Sequence, residues 1–197
     1  MVLDLGILVS VALSPWFNVR EDALSDLGNT ASNGGAGFVF DAALAIAGLL
    51  MFAFAVVLSY RGRYRRVLLW TVPLAITAVD LALIGLFPEN VPGAVHRVVS
   101  AVLFLMVSVT MFAHGWVSWS LGSRRIGLVA LGFGVLNAFI WVTTWPWSGT
   151  VNQWSVWPWT GVAIQEVLTA IMLTAWLVLV ALTASRLLPS RELTREA

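Results

Sequence analysis

Few side chains in this sequence can do chemistry: ten carboxylates, two histidines, eleven arginines and scattered hydroxyls. There is no cysteine, so a disulfide framework, a thiolate metal site and a thiol nucleophile are all excluded. The stretch AVDLALIGLFPENVPGAVHRVV, residues 78–99, sets Asp80 inside an apolar run and His96 with Arg97 at the start of the next. Glu166 interrupts another apolar run, Asp41 opens one, and Asn137 lies within a third. Ser25 and Asp26, in EDALSDLGN, fall between runs, where they can cap a short helix or present a hydroxyl and a carboxylate. An ionisable group in hydrocarbon costs about 2.5 to 3.5 kcal/mol on insertion scales, so it faces a partner, the bundle interior or a wet cavity. Carboxylates around one imidazole suit three chemistries. They can hold a polar ligand; they can orient His96 as a base or metal ligand, with Ser25 or water as nucleophile; or Asp80 and Glu166 can titrate in a proton-coupled carrier. The structural alternative is a buried ion pair of Arg97 with Glu166 or Asp80 that fixes helix register.

The elements that must position these groups are membrane spans. With 59% hydrophobic and 11% charged residues, and a mean hydropathy of +0.89, the chain lies outside soluble-domain usage. A net charge of +1 offers no basic surface to nucleic acid. Six apolar runs occupy residues 2–17, 37–60, 67–87, 94–121, 126–147 and 159–188. All but the first reach the roughly 20 residues that a crossing helix needs. None alternates in polarity as barrel strands do. The expected fold is an all-α, polytopic transmembrane helical bundle of about six spans, with a single domain over 1–188 and a short tail over 189–197. The acidic first turn and the lack of a small-residue cleavage site point to a retained first span rather than a removable signal.

Arginine placement sets the expected direction, because positively charged loops stay in the cytoplasm. Nine of eleven arginines fall in three segments (61, 63, 65, 66; 124, 125; 186, 191, 195) that share one side of a six-span map. Both termini are then cytoplasmic in a multi-pass protein of the cell membrane. On that map Asp80 and Glu166 each lie seven residues, roughly 10 Å, below the outer surface. Ser25, Asp26, Asp41, Asp80, His96, Arg97, Asn137 and Glu166 are therefore the candidate lining of an outward-facing polar pocket, with residues 88–93 as a wet turn and the first loop as a cover.

These residues also carry a resemblance. Ser25-Asp26-Leu27-Gly28 after a first span, Phe40-Asp41 at the start of the next, Phe87-Pro88 followed by His96, and Gln165-Glu166 on the last span resemble the prokaryotic membrane family catalogued as domain of unknown function 998. The resemblance covers nearly the whole chain and implies a six-helix membrane protein. It departs from the family pattern at Asp41, where an amide is expected, and after Glu166, where an arginine is expected.

Other features read more simply. Trp141, Trp145, Trp147, Trp154, Trp157 and Trp159 suit an interfacial aromatic belt, with an aromatic cage as the sharper alternative. His114 stands eighteen residues, roughly 27 Å, along its helix from His96, so the two cannot share a metal. No metal and no cofactor is expected. RGRYRR reads as a topology signal, and the glycines of SNGGAG as a flexible loop. The expected function is binding of a lipid headgroup or small polar molecule, with an outer-leaflet lipid-modifying enzyme and the carrier as alternatives. Expected partners are membrane lipids and a small polar ligand, with no nucleic acid; a homo-oligomer stays open.

Overall fold

The computed structural model describes residues 1–62, 65–91, 94–144, 158 and 160–184. Six helices follow one another: α1 (Val2–Leu13), α2 (Thr30–Arg61), α3 (Leu68–Leu86), α4 (Val95–Ser120), α5 (Arg124–Thr144) and α6 (Ala163–Thr183). Short 3-10 turns at Leu24–Gly28 and Arg65–Val67 complete the described elements, and no strand occurs among them. Helices α2 to α6 are each long and apolar enough to cross a bilayer, which makes this a multi-pass membrane protein.

Helix α1 is shorter than the run of residues 2–17 suggests. Its 12 residues rise about 18 Å against a hydrocarbon core of about 30 Å. Pro15 explains the early stop, since the residue before a proline is pushed out of helical geometry. Ser14 accordingly sits at φ −120°, ψ 76°. Its hydroxyl lies 2.7 Å from Ser10 O and 2.9 Å from Asn33 Oδ1, which ties the end of α1 to the start of α2.

Helix α2 begins seven residues before its apolar run. Asn29 caps it, its Oδ1 accepting from Ala31 N at 3.1 Å and Ser32 N at 3.3 Å. The SNGGAG segment, expected as a loop, is helical apart from one break at Gly34, whose φ of 53° and ψ of −130° suit only glycine.

Sequence neighbours pack side by side from α2 through α5, while α6 touches α5, α1 and α4. The α2–α3 seam is close because Gly48 meets the α3 backbone at Ala78 and Ala82, and Gly85 meets the α2 backbone at Asp41. Small residues permit such approach where lipid supplies no hydrophobic drive. Polar pairs lock the remaining helices. Trp176 Nε1 donates to His114 Nδ1 at 3.1 Å, and the His114 ring lies 4.7 Å from Trp70, so this histidine packs helices together as expected. Thr174 Oγ1 reaches both oxygens of Asp4, at 3.0 and 2.9 Å, eleven residues into α6. Asp4 thus joins the start of α1 to the middle of α6.

Of the tryptophan cluster only Trp141 falls among the described residues. It stacks on Phe104 at 3.7 Å and donates to Thr169 Oγ1 at 2.9 Å, so it joins α5 to α4 and α6. Trp145, Trp147, Trp154, Trp157, Trp159, Arg63, Arg186, Arg191, Arg195 and the tail 189–197 lie outside the described residues.

Candidate functional site

The first four N–H groups of a helix have no partner within it. At α6 the first loop supplies partners at and just before the helix start: Arg20 O accepts from Thr160 N and Gly161 N at 3.1 and 2.9 Å, and Asp22 O from Val162 N and Ala163 N at 3.2 and 3.0 Å. Gly161 makes this possible, because any β-carbon there would run into the Asp22 backbone. One turn into α6, Glu166 Oε2 accepts from Leu24 N at 2.5 Å. The 3-10 turn that follows is closed by Asp26, whose Oδ2 accepts from Ala23 N at 2.8 Å.

Across from this turn stands Glu89, on the connection between α3 and α4. Ser25 Oγ donates to Glu89 Oε2 at 3.2 Å. The Glu89 and Asp26 carboxyls also hydrogen-bond one another, which requires a proton between them. Partial burial, then the hydrogen bond and charge of Asp26, raise the Glu89 pKa above its usual range, while the Ser25 bond and the nearby His96 pull the other way.

His96 opens α4 and is buried. Its Nδ1 lies 2.9 Å from Phe87 O. A carbonyl can only accept, so Nδ1 carries a proton, and in the neutral form of the ring Nε2 keeps the lone pair. Nε2 has no partner among the described residues.

Ser25, His96 and Glu166 meet at one cavity of about 60 Å³, together with Ser100 and Thr169. Its remaining wall is apolar, with Leu24, Phe40, Leu81 and Leu103 among the contributors. Thr169 Oγ1 is already committed, donating to Asn137 Oδ1 at 2.8 Å and accepting from Trp141 Nε1. The arrangement therefore offers a partly accessible carboxylate, a fixed imidazole lone pair and hydroxyls at the mouth of an apolar recess.

A family model described as a protein of unknown function, DUF998, matches residues 2–183, from the first residue of α1 to the last of α6. The chain belongs to that family. No curated protein and no solved structure matches it. All the residues that carry the resemblance fall within the matched span of this DUF998 chain.

The eight residues expected to share a pocket separate into three groups. Ser25, His96 and Glu166 line the cavity, while Asp26 lies outside its lining and interacts with Glu89, the partner of Ser25. Asn137 sits behind it, fully buried, with Nδ2 donating to Ser108 Oγ at 2.8 Å and to Phe104 O at 3.3 Å. Asp41, Asp80 and Arg97 do not line it. Asp41 is buried against Gly28. Asp80 is buried with Oδ2 lacking a hydrogen-bond partner.

Arg97 is exposed and pairs with neither Asp80 nor Glu166. The ion pair among the described residues is instead the Met1 ammonium with Asp4 at 2.7 Å. The Arg97 register lock is thus not formed.

Glu89, Ser100 and Thr169 are the residues that sequence reasoning misses. Ser100 and Thr169 had a signal, standing four and three residues after His96 and Glu166 on the same helix faces. Glu89 had none, because its partner Ser25 is 64 residues away.

Proposed function

We propose that this chain is a cell-membrane protein that binds a small polar molecule or a lipid headgroup in the cavity beneath its first loop. The observation that carries the reading is the convergence of Ser25, His96 and Glu166, from three distant segments, on one recess, with the His96 Nε2 lone pair uncommitted. A histidine serving only to staple the turn needs no second nitrogen facing a cavity. The recess lies at the bundle end opposite Arg61, Arg65, Arg66, Arg124 and Arg125, which supports an outward-facing position by the positive-inside rule.

Native mass spectrometry of the wild type and His96→Ala, purified alike, tests the reading. The variant loses one hydrogen bond, worth about 0.5 to 1.5 kcal/mol, so its melting temperature falls by only a few degrees. Its co-purified ligand disappears. Identical bound species in both proteins would overturn the proposal.

The fixed tautomer of His96 also favours a second reading, hydrolysis of a lipid at the outer leaflet with Nε2 as general base. Ser25 donates to Glu89 rather than to His96, so a water is the better-placed nucleophile. Release of product from supplied lipid, absent in His96→Ala, distinguishes this reading from binding alone.

A further inference from the structure

The cavity walls differ in hydrogen-bonding sense from what a phosphate or carboxylate requires. Ser25 has already given its proton to Glu89, and Thr169 has given its own to Asn137. In its neutral form His96 offers the Nε2 lone pair, because Nδ1 holds the ring proton against Phe87 O. Glu166 accepts from Leu24 through Oε2, leaving Oε1 free to accept again. Only the Ser100 hydroxyl keeps an uncommitted proton among the polar groups lining the recess. Asp26 and Glu89 act electrostatically on Glu166, whereas Arg97 is exposed and paired with no carboxylate. The recess is therefore rich in acceptors when His96 is neutral, acidic in its surroundings and lined by no arginine.

Resting on the cavity reading above, we infer that the recess is a primary-ammonium site, whose occupant donates its three N–H groups to Glu166 Oε1, His96 Nε2 and the Ser25 oxygen. An ammonium supplies three donors and a positive charge, and a cation within about 4 to 6 Å favours the ionised carboxylate it meets. Bonds of this charge-assisted kind are roughly twice as strong as neutral ones. A phosphate would bring further acceptors into the same acidic surroundings. A cavity of about 60 Å³ admits an aminoethyl end. The apolar wall of Leu24, Phe40 and Leu103 takes the short stem. The ammonium belongs either to a free amine or to an aminolipid headgroup, since both present the same end.

The test uses the full chain in phosphatidylcholine nanodiscs, with thermal shift and native mass spectrometry as readouts. Ethylamine is compared with ethyl phosphate and with tetramethylammonium, which carries the charge without N–H donors. In a second arm, phosphatidylethanolamine or phosphatidylglycerol is mixed into the nanodisc. Ethylamine binding without retained phosphatidylethanolamine identifies a free amine, and retention of that lipid identifies a headgroup; both support the inference. Glu166→Gln keeps an oxygen for Leu24 N and is expected to weaken either ligand at least about tenfold. Should that variant fail to fold, the contrast between ethylamine and tetramethylammonium on the wild type decides. Equal binding of tetramethylammonium, or preference for ethyl phosphate or phosphatidylglycerol, overturns the ammonium assignment while leaving the cavity reading intact. No binding of any probe, with His96→Ala retaining the same co-purified species as the wild type, overturns both.

Discussion

Glu89 shows how much a single turn residue can do once the chain folds. From the sequence it belongs to a wet turn, yet it joins Ser25 and Asp26 of the first loop to the connection between α3 and α4. Its pKa is raised, so the folded protein binds a proton there that the unfolded chain has released. For a carboxyl raised in this way, stability is fully present below the usual glutamate range and declines as pH rises through the folded value. The groups facing it are Asp26, His96 and, more distantly, Glu166. Above that range the Asp26–Glu89 pair carries two like charges and the link loosens. Hydrogen exchange at the amides of Leu24 and Ser25 is therefore expected to quicken as pH rises above the usual glutamate range, beyond the intrinsic increase. Glu89→Gln, which cannot charge, should flatten the excess; an unchanged profile would show that the two carboxyls do not share a proton.

Loop and helix are held together at α6 by backbone hydrogen bonds as well as by the Glu166 side chain, and there the element scale becomes informative. Gly161 lets the Arg20 and Asp22 carbonyls cap the N–H groups of residues 160–163. Gly161→Val forces the loop off the helix and strands several donors, at about 1 to 3 kcal/mol for each one left buried. Limited proteolysis should then cut between residues 14 and 29 at protease levels that spare the wild type. Resistance equal to the wild type would mean that the loop is held elsewhere. The long helices themselves were legible in the sequence: the runs 67–87 and 94–121 match α3 and α4 to within a residue at each end. Their rotation was not. In a membrane the lipid-facing side is as apolar as the packed side, so hydrophobic periodicity carries little inward direction. Depth could place Asp80 and Glu166 at one level, but only packing shows that Glu166 meets the recess while Asp80 does not. Arg97 falls on the exposed side of α4 for the same reason, one residue beyond His96 and about 100° around the helix.

At the scale of the whole molecule, five of the described arginines and the recess lie at opposite ends of the bundle. Arg61, Arg65 and Arg66 flank the α2–α3 connection, and Arg124 with Arg125 opens α5. Ser25, Glu89, His96 and the start of α6 occupy the other end. Positively charged connections stay in the cytoplasm, so the acidic recess is expected to open outward. An outward opening also suits the charge balance, because Asp26, Glu89 and Glu166 at an inner surface would face the anionic lipids of that leaflet. The chain lacks cysteine, which makes single introduced thiols unambiguous reporters. A thiol at Asn90, an exposed residue beside Glu89, should react with a membrane-impermeant maleimide added to intact cells. One at Ser123, in the short connection before α5, should react only after the membrane is opened. The reverse pattern would turn the bundle over, place the recess at the cytoplasmic leaflet and remove the argument for an external ligand, while leaving the helix packing described here intact.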